Sequence, residues 1–230
     1  MIPLRAETFR KTFALINIAL IAVNVACFVY QLTLPPRASN ALVAGLGVVP
    51  ARAERMVAHP TERTVSDTVV PLVASMFLHG GILHIAGNML FLWVFGASVE
   101  DRLGHMRYLI FYFVSGIGAG LTHIVANWGS HVPSIGASGA ISGVMGAYII
   151  LFPGSRILTL IPLLFFFFTA RLPAVIMLGY WFMIQFLSGM GSLGQANQGG
   201  VAWWAHIGGF LLGAILVLNL RARHPAGFEY

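Results

Sequence analysis

The stretch SIGASGAISGVMGAY, residues 134–148, holds Ser138 inside Gly-Ala-Ser-Gly at the opening of a short, glycine-rich apolar run. A serine hydroxyl becomes a useful nucleophile when an adjacent base removes its proton, and an imidazole is a suitable base. Two further polar clusters fall at matching depth in other apolar segments: His84 and Asn88 in FLHGGILHIAGNML, and His206 in AHIGGFLLG. These types support attack by Ser138 on a peptide carbonyl, with His206 taking the hydroxyl proton and later returning it to the leaving amine. The oxyanion formed on the way needs hydrogen-bond donors already aimed at it. The Ser138 backbone N–H at a helix N-terminus is one. His84 and Asn88, at i and i+4 on one helical face, each offer a side-chain N–H. Each residue also has a plain structural use, because serine and glycine let membrane helices approach closely and a membrane histidine can serve packing alone. The functional reading rests on the three clusters converging.

The elements that must position them are membrane spans. The 230-residue chain is 58% hydrophobic and 9% charged, with a mean hydropathy of +0.84, against about 25% charged in soluble proteins. This is the composition of a polytopic membrane protein in contact with the lipid bilayer. The net charge is +6, yet the basic residues are scattered at segment ends rather than gathered on a face, which speaks against a nucleic-acid partner. Cys27 is the single cysteine, so the chain has neither an intrachain disulfide nor a cysteine zinc cluster. The first apolar stretch follows Arg5, Arg10 and Lys11 as a signal peptide would, but it outruns the usual h-region and is expected to be a retained span.

Six spans are expected, roughly 13–34, 79–97, 108–127, 137–152, 172–189 and 203–220. Arg5, Arg10, Lys11, Arg102, Arg107, Arg156, Arg171, Arg221 and Arg223 then share one side, which puts both termini in the cytoplasm. The loops near 128–136 and 190–202 carry no acidic or basic side chain other than His131, as suits the other side. The first loop, about 35–78, is extracytoplasmic under this count and contains ARAERMVAHPTER, an amphipathic turn on the outer leaflet. Ile157–Phe168 is too short to span and is expected as an interfacial or tilted extension before the fifth span. Asn17 and Asn24 read as interhelical glue.

At about 1.5 Å per residue, Ser138 lies roughly 21 Å from the inner end of its helix at Phe152, and His206 roughly 22 Å from Arg221. His84, roughly 24 Å from Glu100, and Asn88 one turn deeper bracket that level. The fourth helix is shorter than the hydrocarbon core, so Ser138 is expected in a recessed, wet hollow. Gly139 and Gly143 on the fourth span, and Ala205, Gly209 and Gly213 on the sixth, are small enough to bring Ser138 and His206 within hydrogen-bond reach. All seven carboxylates fall outside the expected spans. No buried acid is then on hand to orient His206, so a nucleophile–base dyad is the available arrangement. The same absence weakens a proton-coupled transporter and an acid-ligated metal site, although three histidines alone suffice to hold zinc.

With these residues in hand, the sequence resembles the rhomboid family of intramembrane serine proteases from about Phe77 to Gly213. FLHGGILHIAGNML is similar to the family's H-x-x-x-N motif at His84 and Asn88, and GASVEDRLG to its G-x-x-x-E-x-x-x-G at Gly96, Glu100 and Gly104. GASG, Gly136 to Gly139, resembles the nucleophile motif, and AHIGGFLLG, with Ala205, His206, Gly209 and Gly213, the base motif. The resemblance implies an all-α, six-helix rhomboid-like bundle forming a single membrane domain over residues 1–230. It implies a Ser138/His206 dyad and an oxyanion site built from the Ser138 N–H, His84 and Asn88. It also implies cleavage of transmembrane protein substrates without metal or cofactor, with the fifth span, carrying Trp181, Phe182 and Phe186, as a movable wall. A catalytically inactive relative that binds client transmembrane helices is the alternative. The expected setting is a bacterial inner membrane.

The chain departs from the family pattern at two places. Val70-Pro71 stands where many members carry Trp-Arg, which leaves the anchoring of the first loop open. Ser142 stands where many carry a tyrosine that stacks on the base, which leaves Trp203, Trp204 and Tyr148 as candidates to steady His206.

Overall fold

The structure is a computed structural model that describes residues 1–163, 166–192 and 201–223. Most of the loop expected near 190–202, and Glu229, lie outside those residues. Among the described residues, five helices are long and apolar enough to cross a membrane: α1 (Leu15–Thr33), the continuous helix Ile82–Leu103, α7 (His105–Ala126), α9 (Ala174–Gly191) and α10 (Trp203–Arg223), the last through Leu220. The helix expected as the fourth span, α8 (Ser138–Leu151), has only 14 residues, about 21 Å of rise.

The first loop is helical where only a turn was expected. α2 (Pro36–Leu46) and α3 (Pro50–Ala58) each begin on a proline, whose fixed φ suits the first turn and whose missing N–H is not needed there. α4 (Glu62–Ala74) opens on a capping box between Thr61 and Thr64. Val48, Ala53 and Leu72 bury themselves against Ile124 of α7. That small cluster anchors the loop without the family's Trp-Arg pair.

The all-α expectation is corrected by a three-stranded antiparallel sheet in the order β1 (Ile2–Glu7), β2 (Arg156–Leu163), β3 (Phe166–Pro173). The described part of the run Ile157–Phe168, expected as a tilted extension, is strand. Glu7 pairs with Arg156 and Ile2 with Leu160, while Leu163 pairs with Phe166. Branched and aromatic side chains favour a pleated surface. Pro162 lies beyond the last β1 pair, where β2 has an open edge that tolerates a missing N–H. Arg171 Nε meets Glu7 Oε1 at 3.0 Å, an ion pair between the outer strands.

Glu100 is the second correction. The expected span ended at residue 97, but α5 (Ile82–Phe91) runs through a π-helical segment, Leu92–Gly96, into α6 (Ala97–Leu103) without a break. Glu100 is therefore inside a helix and 0% exposed. Its carboxylate accepts from the N–H groups of Ile16 at 2.9 Å and Asn17 at 2.7 Å, two of the donors that the first turn of α1 leaves unsatisfied, and it also contacts His105 Nδ1. Asn17 in turn donates to the Leu92 carbonyl and accepts from the Tyr108 hydroxyl at 2.8 Å, so it does join three helices. Asn24 instead donates to Leu20 of its own helix. Glu100→Ala is expected to lower stability by about 1–3 kcal/mol for each buried donor left unsatisfied, read as a fall in Tm of the detergent-solubilised protein. Glu100→Gln, which keeps one accepting oxygen, should recover part of it. An unchanged Tm in Glu100→Ala would show that the α1 N-terminus finds other partners.

Candidate active site

α8 is the inner helix of the bundle, buried along nearly its whole length from Gly139 to Leu151. Glycine makes that possible. A Cβ on Gly139 would stand 2.6 Å from the Ala119 Cβ on α7 and 3.9 Å from the Ala205 Cβ on α10. One on Gly213 would strike the Gly143 carbonyl, and one on Gly209 the Gly139 carbonyl. The expected small residues are thus the ones across which α8 and α10 approach backbone to backbone.

That approach brings the N-terminus of α8 against the first turn of α10. Ser138 Oγ lies 2.8 Å from His206 Nε2. Ser138 is the first residue of α8, so its N–H has no partner within the helix. Both residues line a cavity of about 790 Å³, with His84, Asn88, His123 and Trp181 among its other walls. His123, on α7, is a cavity residue outside the expected set.

Gly136, two residues before Ser138, has a φ of +123°, a backbone state that side-chain-bearing residues avoid. Its N–H donates to the Ser75 carbonyl at 2.9 Å. A Cβ there would stand 2.8 Å from His84 Nε2 and 3.5 Å from Asn88 Nδ2, so glycine leaves room for two side-chain donors beside the serine. His84 Nδ1 accepts from the Gly80 N–H at 3.2 Å, which leaves the ring proton on Nε2, the nitrogen that faces Gly136. The His79 ring packs edge-on behind it, at 5.2 Å between centroids. Asn88 is buried, and among the described residues its Nδ2 has no hydrogen-bond partner. A buried amide nitrogen normally finds an acceptor.

The surroundings of His206 differ from the expectation. Ser142 Oγ donates to the Ser138 carbonyl at 2.6 Å, a bond within α8, and takes no part in stacking. Tyr148 is fully buried between Phe95 and Phe152 and bonds Ser155, so it is not the residue that steadies His206. Trp203 meets the imidazole only edge-on, at 6.4 Å and 87°. The ring that lies over it is Trp181 of α9, at 5.8 Å and 35°, itself stacked on Phe210. One turn further along α9, Gln185 places Oε1 2.7 Å from His206 Nδ1. A lone amide in the apolar run YWFMIQFL was the available signal for Gln185. Of the aromatic residues expected to form a movable wall, Trp181 and Phe182 pack inward on α10, while Phe186 is 40% exposed. Glu100 is engaged by α1 and His105 and does not serve His206.

Comparison with known proteins gives relatives in animals, plants and yeast. The human "Presenilin-associated rhomboid-like protein, mitochondrial" is 35% identical over 136 residues, 58% of this chain and 36% of that protein. The Arabidopsis thaliana "RHOMBOID-like protein 6, mitochondrial" is 32% identical over 158 residues, 69% of this chain and 46% of its own. The Saccharomyces cerevisiae "Rhomboid protein 1, mitochondrial" is 32% identical over 153 residues, 64% of this chain and 40% of its own. The chain thus spans less than half the length of each of these relatives. Their mitochondrial names overturn the expected bacterial inner membrane, and that expectation is corrected. The physical reason for the miss is that span length and flanking charge report a bilayer crossing, not which bilayer is crossed. The Rhomboid domain family matches residues 66–223, from α4 to the end of α10, and this chain belongs to that family.

Proposed function

We propose that the protein is an intramembrane serine endopeptidase that hydrolyses peptide bonds in or near transmembrane segments of membrane-protein substrates. The observation that carries this reading is the 2.8 Å contact between Ser138 Oγ and His206 Nε2 beside the unpartnered Asn88 Nδ2. His206 takes the Ser138 proton as Oγ adds to the substrate carbonyl. The oxyanion is held by the Ser138 N–H, His84 Nε2–H and Asn88 Nδ2–H. The C–N bond then breaks as His206 passes its proton to the amine, leaving an acyl group on Ser138. Water, deprotonated by His206, adds to that acyl carbon and releases the new carboxyl end. Gly136, Gly139, Ala205, Gly209 and Gly213 serve by bringing the backbones together, and no metal or cofactor is called for.

The proposed topology counts α8 as a sixth, short span, with both termini on the side that carries most of the arginine-rich segment ends. The mitochondrial relatives support a eukaryotic organellar membrane as the setting. A helical substrate ties up the carbonyl to be attacked, so the segment must unwind before it reaches Ser138, entering past α9 from the lipid. The protein reconstituted in liposomes with a transmembrane model substrate is expected to release two discrete fragments, mapped by mass spectrometry. Binding of the substrate without cleavage would overturn the reading in favour of a client-binding, catalytically inactive protein.

A further inference from the structure

Gln185 is 5% exposed, and its amide is oriented from both ends. Nε2 donates to the Trp181 carbonyl at 3.3 Å, which turns Oε1 toward His206 Nδ1 at 2.7 Å. An amide oxygen only accepts, so the neutral imidazole must carry its proton on Nδ1. Nε2 is then left with its lone pair, directed at Ser138 Oγ. Among the described residues the other groups over the ring, Trp181 and Trp203, are aromatic faces and edges that offer Nδ1 no comparable acceptor.

We propose that Gln185 is a positioning residue that holds His206 in the Nδ1–H tautomer, and that α9, which carries both Gln185 and Trp181, thereby sets the competence of the base as well as walling the cavity. The proposal rests on the hydrolytic reading above for its consequence but not for its geometry. An imidazole without the Gln185 oxygen is free to take the Nε2–H tautomer, in which the nitrogen facing Ser138 already bears a proton and cannot receive another. A carboxylate is the commoner partner for such a histidine. Among the described residues the buried carboxylate, Glu100, is engaged at the N-terminus of α1, and a neutral amide fixes the tautomer without adding a charge to the cavity. Because Trp181 and Gln185 sit one turn apart on the same helix, displacement of α9 withdraws the ring platform and the acceptor together.

The test uses the full chain with histidine ¹⁵N labelling and compares wild type, Gln185→Leu and Gln185→Glu, with His206→Gln to assign the resonances. The wild-type His206 spectrum should be that of the Nδ1–H form, and Gln185→Leu should shift it toward a mixture. With a transmembrane substrate, Gln185→Leu should lower kcat by about tenfold to a hundredfold, the range seen when the partner orienting a metal-bound imidazole is removed, with KM unchanged. Gln185→Glu, which restores an accepting oxygen, should return most of that loss. An Nε2–H wild type overturns the proposal, as does an unchanged tautomer in Gln185→Leu, whether kcat falls or not, since any loss then comes through packing. If the wild type cleaves nothing, the hydrolytic reading fails and the spectra still decide the role of Gln185.

Discussion

Ser138→Ala should bring cleavage of a transmembrane substrate down by about 10⁴-fold or more, with His206→Ala close behind and the double variant no slower than the worse of the two. The size follows from removing a covalent nucleophile or its base. The non-additivity follows because the two act as one unit, each useless without the other. The geometry makes Ser138→Ala a clean change. It removes a single oxygen at the edge of the cavity whose hydrogen-bond partner, His206 Nε2, remains beside solvent-accessible space. Thermal stability should therefore stay near wild type. A residual rate only tenfold below wild type in Ser138→Ala would remove Ser138 from the role of nucleophile, whatever His206→Ala does.

The parts of this arrangement that sequence makes legible are those whose signal is local. Long apolar runs announced five helices, and a serine, two histidines and an asparagine stood out against them. The small residues at 139, 143, 205, 209 and 213 announced a close helix pair. What was not legible depends on contacts between distant segments. Strand β1 pairs with residues nearly a whole domain away, and a short apolar run such as Ile157–Leu163 looks alike as strand or buried helix until its partner is known. Glu100 reads as a flanking charge unless the helix is seen to continue through Leu92–Gly96, and its reward for burial comes from the N-terminus of α1. The surroundings of His206 were harder still. Three aromatics near His206 or Ser138 in the sequence were candidates to steady it, but the ring and the amide that meet it come from α9, where neither sequence distance nor composition ties them to position 206.

Asn88→Ala is expected to lower turnover by about 10²–10³-fold, the usual cost of one oxyanion donor and worth about 2.7–4 kcal/mol in the transition state, with little change in KM. Among the described residues its Nδ2 has no hydrogen-bond partner. A buried amide nitrogen without an acceptor is a cost to the folded protein, so deleting it should leave the Tm unchanged or slightly raised while the rate falls. Asn88→Asp keeps the shape but replaces the donor with an acceptor facing the same developing negative charge, and it should be slower than Asn88→Ala. His84→Ala should show the same pattern of lowered kcat at constant KM, since its Nε2–H faces the space beside Gly136 that Asn88 Nδ2 also faces. Steady-state kinetics in liposomes together with a thermal melt of each variant separate the two possible jobs. If Asn88→Ala melts several degrees lower while its folded fraction turns over at the wild-type rate, Asn88 ties α5 to its neighbours and the oxyanion is held by other groups.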